Sequence, residues 1–238
     1  MTTFLRAMKI PLLPCLLAAC LLPGEYALAG GHSINCDGRV PDHHAQLAEG
    51  DQGTATHLQL SRQVPGAASV NIDVCSSDLT ITGSDNGAFL VTVDIAHADA
   101  KFAAADYLET IDVTPEEVRL QLHLPRHVHA KVTVAVPALV KDLRTNLGRG
   151  DLLLAADRIS GKREFNVGYG HVNFEGNKDS YGNMQVNVGL GSLRDNRKGG
   201  ENHHFIVAKS FDGTGKGSIE INVGMGSVDL NPGQNRPI

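Results

Sequence analysis

A five-residue phrase, Asn-x-Gly-x-Gly, occurs four times in the second half of this chain. The copies are Asn146-Leu147-Gly148-Arg149-Gly150, Asn166-Val167-Gly168-Tyr169-Gly170, Asn187-Val188-Gly189-Leu190-Gly191 and Asn222-Val223-Gly224-Met225-Gly226. Their Asn residues lie 20, 21 and 35 positions apart. A period of this size marks stacked units, none of which buries its apolar face alone. Aligned on Asn, the flanks agree. The residue before it (Thr145, Phe165, Val186, Ile221), the one after it (Leu147, Val167, Val188, Val223) and the one three after it (Arg149, Tyr169, Leu190, Met225) are mostly apolar. So are the residues six after it (Leu152, Val172, Leu193, Val228).

The first run alternates as a strand does, which places offsets one and three toward a core. The parity then slips by one residue, and the second Gly of each phrase falls at the slip. A residue without Cβ takes a positive-φ corner at low cost. Gly-x-Gly is therefore expected to mark a corner between two short strands of one coil. The predicted fold is all-β: a short single-stranded parallel β-helix, or β-solenoid, with coils about 4.8 Å apart, and a β-rich, less regular N-terminal part. The Asn column has two readings. The side chains bond up and down the stack as a ladder, or each caps its own corner. The long gap before Asn222 holds a polar run, Arg194 to His204, and then Phe205-Ile206-Val207, which together predict an irregular coil and a loop.

Residues 1–29 read as an export signal. Arg6 and Lys9 precede an apolar run, Ile10 to Leu22, and Ala27-Leu28-Ala29 forms a small-x-small cleavage site before Gly30. A rival cleavage is present: Leu17-Ala18-Ala19-Cys20 is similar to a lipobox, in which Cys20 is acylated. After cleavage at Ala29, Cys36 and Cys75 remain, and an oxidising compartment favours a bridge between them. Residues 30–55 read as a polar, partly disordered leader. Residues 56–137 hold strand patterns at His57–Leu60, Ser69–Val74, Leu79–Ile81, Phe89–Ile95, Ile111–Val113, Val118–Leu124 and Lys131–Val136. Ala98–Tyr107 is the one helix-like stretch. Residues 138–231 are the coils and 232–238 a tail. The front half is expected to form earlier coils of the same stack or an antiparallel cap over its end.

The formal net charge of −5 disfavours a nucleic-acid partner. Eleven histidines form clusters at His43-His44, His123 with His127 and His129, and His203-His204, without Cys or carboxylates at metal-site spacing. Gly213-Thr214-Gly215-Lys216-Gly217-Ser218 departs from the phosphate-loop pattern and reads as a corner loop. Asp151, His171, Ser192 and Ser227 share offset five and predict an outward polar row; Arg194, Arg197 and Lys198 predict a basic loop.

The order of export signal, strand-rich front half, Val134-Ala135-Val136-Pro137 strand and Asn146-x-Gly-x-Gly coils resembles the bacterial putative-adhesin families of unknown function over roughly residues 56–231. The resemblance implies a short parallel β-helix at the cell envelope and no catalytic residues. The strong Asn and the irregular fourth coil depart from that pattern. The reading is an exported, envelope-associated, non-enzymatic scaffold or adhesin-like protein binding extended ligands, glycan or protein, with no cofactor and no metal. Membrane attachment is expected only through acylation at Cys20. The alternative is a carbohydrate-active enzyme, a polysaccharide lyase or hydrolase, on a β-helix.

Overall fold

The computed structural model describes residue 36 and residues 39–64, 68–84, 86–96, 101–155 and 159–233. The signal segment, the cleavage site at Ala29 and Gly30, and Cys20 lie outside the described residues. Each Asn-x-Gly-x-Gly phrase sits at the middle of one long strand: β9 (Asp142–Ala155), β10 (Lys162–Glu175), β11 (Asn183–Asp195) and β13 (Ser218–Asn231). These four pair in parallel and in register, with Asn on Asn and Gly on Gly. The expected pair of short strands per coil is replaced by one strand of 13 or 14 residues that runs through its glycines.

The second glycine explains the continuity. Gly170 and Gly226 have φ of +154° and +145°, and a Cβ on either would collide with the carbonyl oxygen of the glycine stacked beside it. The bare backbones nest, so the bend passes from strand to strand without breaking the ladder.

The order in space differs from the order in the chain. β13 lies between β10 and β11, giving β9-β10-β13-β11. The segment in the long gap is β12 (Asn202–Asp212), which turns back and pairs antiparallel with β11 at the end of the sheet.

The front half adds parallel strands to the sheet and antiparallel strands beyond them. β3 (Ser69–Ser76) and β4 (Asp78–Ser84) lie parallel to the first and second halves of β9, with the bend at Ser77 beside Gly150. β7 (Glu117–Leu122) and β8 (Ala130–Pro137) continue the parallel pairing on β3 and β4. Antiparallel strands then close that end: β6 (Leu108–Val113) on β7, and β5 (Ala88–Ile95) on β8, followed by β2 (His57–Gln63) and β1 (Gln52–Gly53). The result is an all-β fold with one open, mixed sheet of 13 strands. No α-helix occurs among the described residues; the helix-like stretch yields only a 3-10 turn at Ala104–Tyr107.

The two wings of each bent strand enclose the core. Leu147, Val167, Val223 and Val188 form one buried column, and Leu152, Val172, Val228 and Leu193 another. Such columns are what stacked repeats bury jointly. Part of the leader is ordered on this body. The Cys36–Cys75 disulfide forms, with Cα atoms 5.3 Å apart, and Ala45 N–H donates to the Leu108 carbonyl. Asp51 and Arg62 form an ion pair whose hydrogen bonds hold the Asp51 carboxyl below its usual range.

Candidate functional site

The bend is where the outer surface becomes ordered into rows, because residues of equal offset on adjacent strands are nearest neighbours. Offset zero is the Asn column, and it is a ladder. Asn187 Nδ2 donates to Asn222 Oδ1 at 2.8 Å, Asn222 to Asn166 at 2.9 Å, Asn166 to Asn146 at 3.0 Å, and Asn146 to Asp73 Oδ1 at 2.6 Å. Asp73 faces Asn146 on β3, so the ladder ends on a buried carboxylate that the repeat alone does not announce. Asn166 and Asn222 also donate to Glu164 and Glu220, two residues earlier on their own strands. Burial pushes the Glu164 carboxyl up, but the Asn166 and Arg144 hydrogen bonds and the Arg144 and Lys162 charges outweigh it and hold the pKa below the usual range. The glycines at Gly148, Gly168, Gly224 and Gly189 sit equally close. A Cβ on Gly168 would stand 2.6 Å from the Gly148 oxygen. Cys75 presses the same column from the β3 side, its carbonyl oxygen 2.7 Å from a Cβ built on Gly148.

Offset three corrects the reading of the pattern. Arg149, Tyr169, Met225 and Leu190 were expected to face the core with offset one, but they stand on the outside. Tyr169 and Leu190 are each 50% exposed and Met225 44%. The bend turns this position outward while offsets one and six stay inside. The row continues onto β12. Phe205 pairs across from Gly191, and Ile206 lies opposite the bulge at Gly189 and Leu190. Phe205 is 76% exposed and Ile206 82%. Phe205 has φ of +74°, the one positive φ at a non-glycine among the described residues. It occupies the place that glycine holds in the column beside it, at a strain of order 1 kcal/mol or more. Five of the seven large apolar residues exposed among the described residues thus line one narrow ridge, with Arg149 closing it, its guanidinium carbon 5.0 Å from the Tyr169 ring centre.

Offset five forms the expected outward polar row, in the order Asp151, His171, Ser227, Ser192. His171 Nδ1 lies 2.8 Å from Ser227 Oγ, its Nε2 lies 3.7 Å from Asp229, and its N–H donates to Asp151. Beside it, Asn196 donates to Asn231 and Asn231 to Asn173, a second, shorter ladder.

The predicted basic loop divides. Arg194 and Lys198 are exposed, whereas Arg197 folds back onto Asp195, donates to the Tyr181 hydroxyl at 2.6 Å and lies 5.0 Å from the centre of Phe211. Arg197 fastens the loop. The histidine clusters stay apart: His43 and His44 are exposed on the leader, and His123 is buried near Glu109. Among the described residues no group of three or more His, Cys, Asp or Glu is placed to hold a metal ion. Open clefts among the described residues include two. One, about 450 Å³, lies between leader residues such as Val40 and His44 and Tyr107; the other, about 510 Å³, is lined by Asn71, Glu117, Arg144, Lys162 and Glu164. Gly213–Gly217 connects β12 to β13, a strand and not a helix, and its N–H groups at Gly213, Thr214 and Gly215 donate to carbonyls of Gly182, Lys178 and Tyr181.

No family model matches the chain, and no curated protein matches it in sequence. Solved structures similar to it include the following three. A putative cell adhesion protein from Clostridium sporogenes is 15% identical over 76% of this chain and 100% of its own, with a TM-score of 0.44. A putative lipid binding protein from Parabacteroides distasonis is 16% identical over 75% of this chain and 64% of its own, with a TM-score of 0.32. A putative adhesin from Parabacteroides merdae is 10% identical over 76% of this chain and 83% of its own, with a TM-score of 0.27. At these values the function of this chain rests on its own surface.

Proposed function

We propose that this chain is an exported, envelope-associated, non-enzymatic scaffold of the β-solenoid class that binds extended ligands, glycan or protein, in the manner of an adhesin. The observation that carries the reading is the in-register row Asp151, His171, Ser227 and Ser192, which crosses four adjacent strands. A carboxylate, an imidazole and two hydroxyls at strand spacing offer a polymer successive hydrogen-bonding groups along one line. The disulfide fits an oxidising compartment. Among the described residues no helix is long and apolar enough to cross a membrane.

The hydrolase form of the rival, a carbohydrate-active enzyme, needs a carboxyl whose pKa is raised so that it donates a proton. Glu164, the most enclosed carboxyl of the charged cleft, is shifted the other way. The test is a glycan array together with an envelope-protein overlay, read for the natural chain and for a variant with Asp151, His171, Ser192 and Ser227 replaced by Ala. Binding that strengthens with polymer length and is lost in the variant is expected. Equal binding by both proteins, or cleavage of the polymer, overturns the reading.

A further inference from the structure

We infer that the ridge Tyr169, Met225, Leu190, Phe205 and Ile206 inserts into the surface of a lipid bilayer, with Arg149 at the level of the phosphates. This goes beyond the reading above, which concerns the polar row at offset five, and it requires no acyl chain at Cys20.

The shape of the ridge selects the occupant. It is one side chain wide and bounded on both sides by glycine columns, Gly168, Gly224 and Gly189 on one side and Gly170, Gly226 and Gly191 on the other. Five large apolar residues face outward in this row, far fewer than the roughly 20–30 residues a side of a stable dimer interface. A protein partner must supply a matching groove, whereas acyl chains close around any convex apolar edge. Neighbouring β12 is poorly suited to extending the sheet into a second copy. Its strand is bulged against β11, and Lys209 and His203 alternate with buried Val207 toward the core side, two devices that discourage edge-to-edge pairing.

The chemistry agrees with the shape. The ridge carries no carboxylate, so insertion strips no anion of water. Its one charged group, Arg149, holds its guanidinium carbon 5.0 Å from the Tyr169 ring centre, and a cationic head on a long apolar stem suits the boundary between acyl chains and phosphates. Tyr169, with an apolar body and a polar tip, belongs at that level. Phe205 and Ile206 are the most exposed of the row, and the fold keeps Phe205 where glycine would relieve the backbone.

The chain contains no Trp, so a single introduced Trp reports on one place. The full chain carrying Cys20→Ala is prepared with Ile206→Trp or, as a control, Leu139→Trp. Leu139 is 72% exposed in the turn after β8, separated from β12 by β4, β9, β10, β13 and β11. Each protein is mixed with phosphatidylcholine vesicles whose acyl chains are brominated. The expected result is a blue-shifted, strongly quenched Trp at position 206 and an unshifted, unquenched Trp at 139. Replacing Phe205→Gly and Ile206→Ser together should lower partition to vesicles at least tenfold without lowering Tm, because glycine relieves the backbone at 205. Three results overturn the inference: Trp at 206 unquenched, Trp at both positions quenched equally, or a blue shift at 206 that depends on protein concentration without vesicles, which assigns the ridge to a second copy. None of these outcomes touches the polymer-binding test of the polar row.

Discussion

Two neighbouring residues of β10 separate the backbone requirement from the surface chemistry. Gly170 has φ of +154° and no room for a Cβ against Gly150, whereas His171 points outward from the next position. Gly170→Val is expected to lose more than about 4 kcal/mol, or to prevent folding, and His171→Ala to cost less than about 1 kcal/mol; urea denaturation measures both. The Asn ladder makes a graded prediction. Asn166 is buried, accepts from Asn222 and donates to Asn146 and Glu164, so Asn166→Ala leaves partners unpaired and should cost about 2–4 kcal/mol. Asn187 ends the ladder and only donates along it, so Asn187→Ala should cost about 1 kcal/mol. Equal losses at the two sites would mean that each Asn acts alone. Glu164 adds a pH dependence. Its folded pKa lies below the unfolded value near 4.5, so its contribution is present above that value and is lost as pH falls through the folded pKa. Asp195, where burial is outweighed by the Arg197 hydrogen bonds, and Asp51 act in the same direction below the ordinary value of 3.8. Denaturation midpoints should be flat through neutral pH and fall in acid, and Glu164→Gln should make the acid fall shallower.

At the scale of the element, each phrase reads differently on its two sides. Offsets one and six obeyed the alternation on either side of the slip, since a strand buries every second residue wherever its backbone stays regular. Offset three did not, because hydrophobicity marks a residue as apolar without saying which way a bent backbone turns it. Tyr169, Leu190 and Met225 were legible as a repeated column but not as a surface. The ladder was legible as one of two options, and its end at Asp73 was not, because β3 lacks the phrase and meets β9 only in space. Phe205 was hidden for the same reason: nothing in Phe205-Ile206-Val207 shows that it faces Gly191. Two cysteines left in a chain read as exported were enough to suggest the Cys36–Cys75 bridge, which closes over a sequence separation of 39 and should contribute roughly 3–4 kcal/mol. Cys36→Ser with Cys75→Ser is expected to lose that amount on denaturation and to speed hydrogen exchange at Ala45, whose N–H bonds the Leu108 carbonyl. Unchanged exchange would show that the leader is held by its other contacts.

In the whole molecule, the parallel strands are shared between a front half without the phrase and a back half that carries it, and antiparallel strands close both ends. The permuted order, with the last strand slotted between β10 and β11, is the feature that chain order could not announce. The 35-residue gap is a consequence: the chain leaves β11, lays down β12 on its far side and then returns to the near side as β13. β10 pairs with β9 directly, but β10 and β11 are joined in the ladder only when the C-terminal β13 is in place between them. Disulfide trapping at the ridge tests this arrangement most directly. Neighbouring parallel strands place equal offsets about 4.8 Å apart, within bridging distance, and strands two apart lie beyond it. Cysteine pairs at Tyr169 with Met225 and at Met225 with Leu190 should cross-link readily on oxidation, while Tyr169 with Leu190 should not. Ready cross-linking of Tyr169 with Leu190, with Met225 joined to neither, would contradict the account.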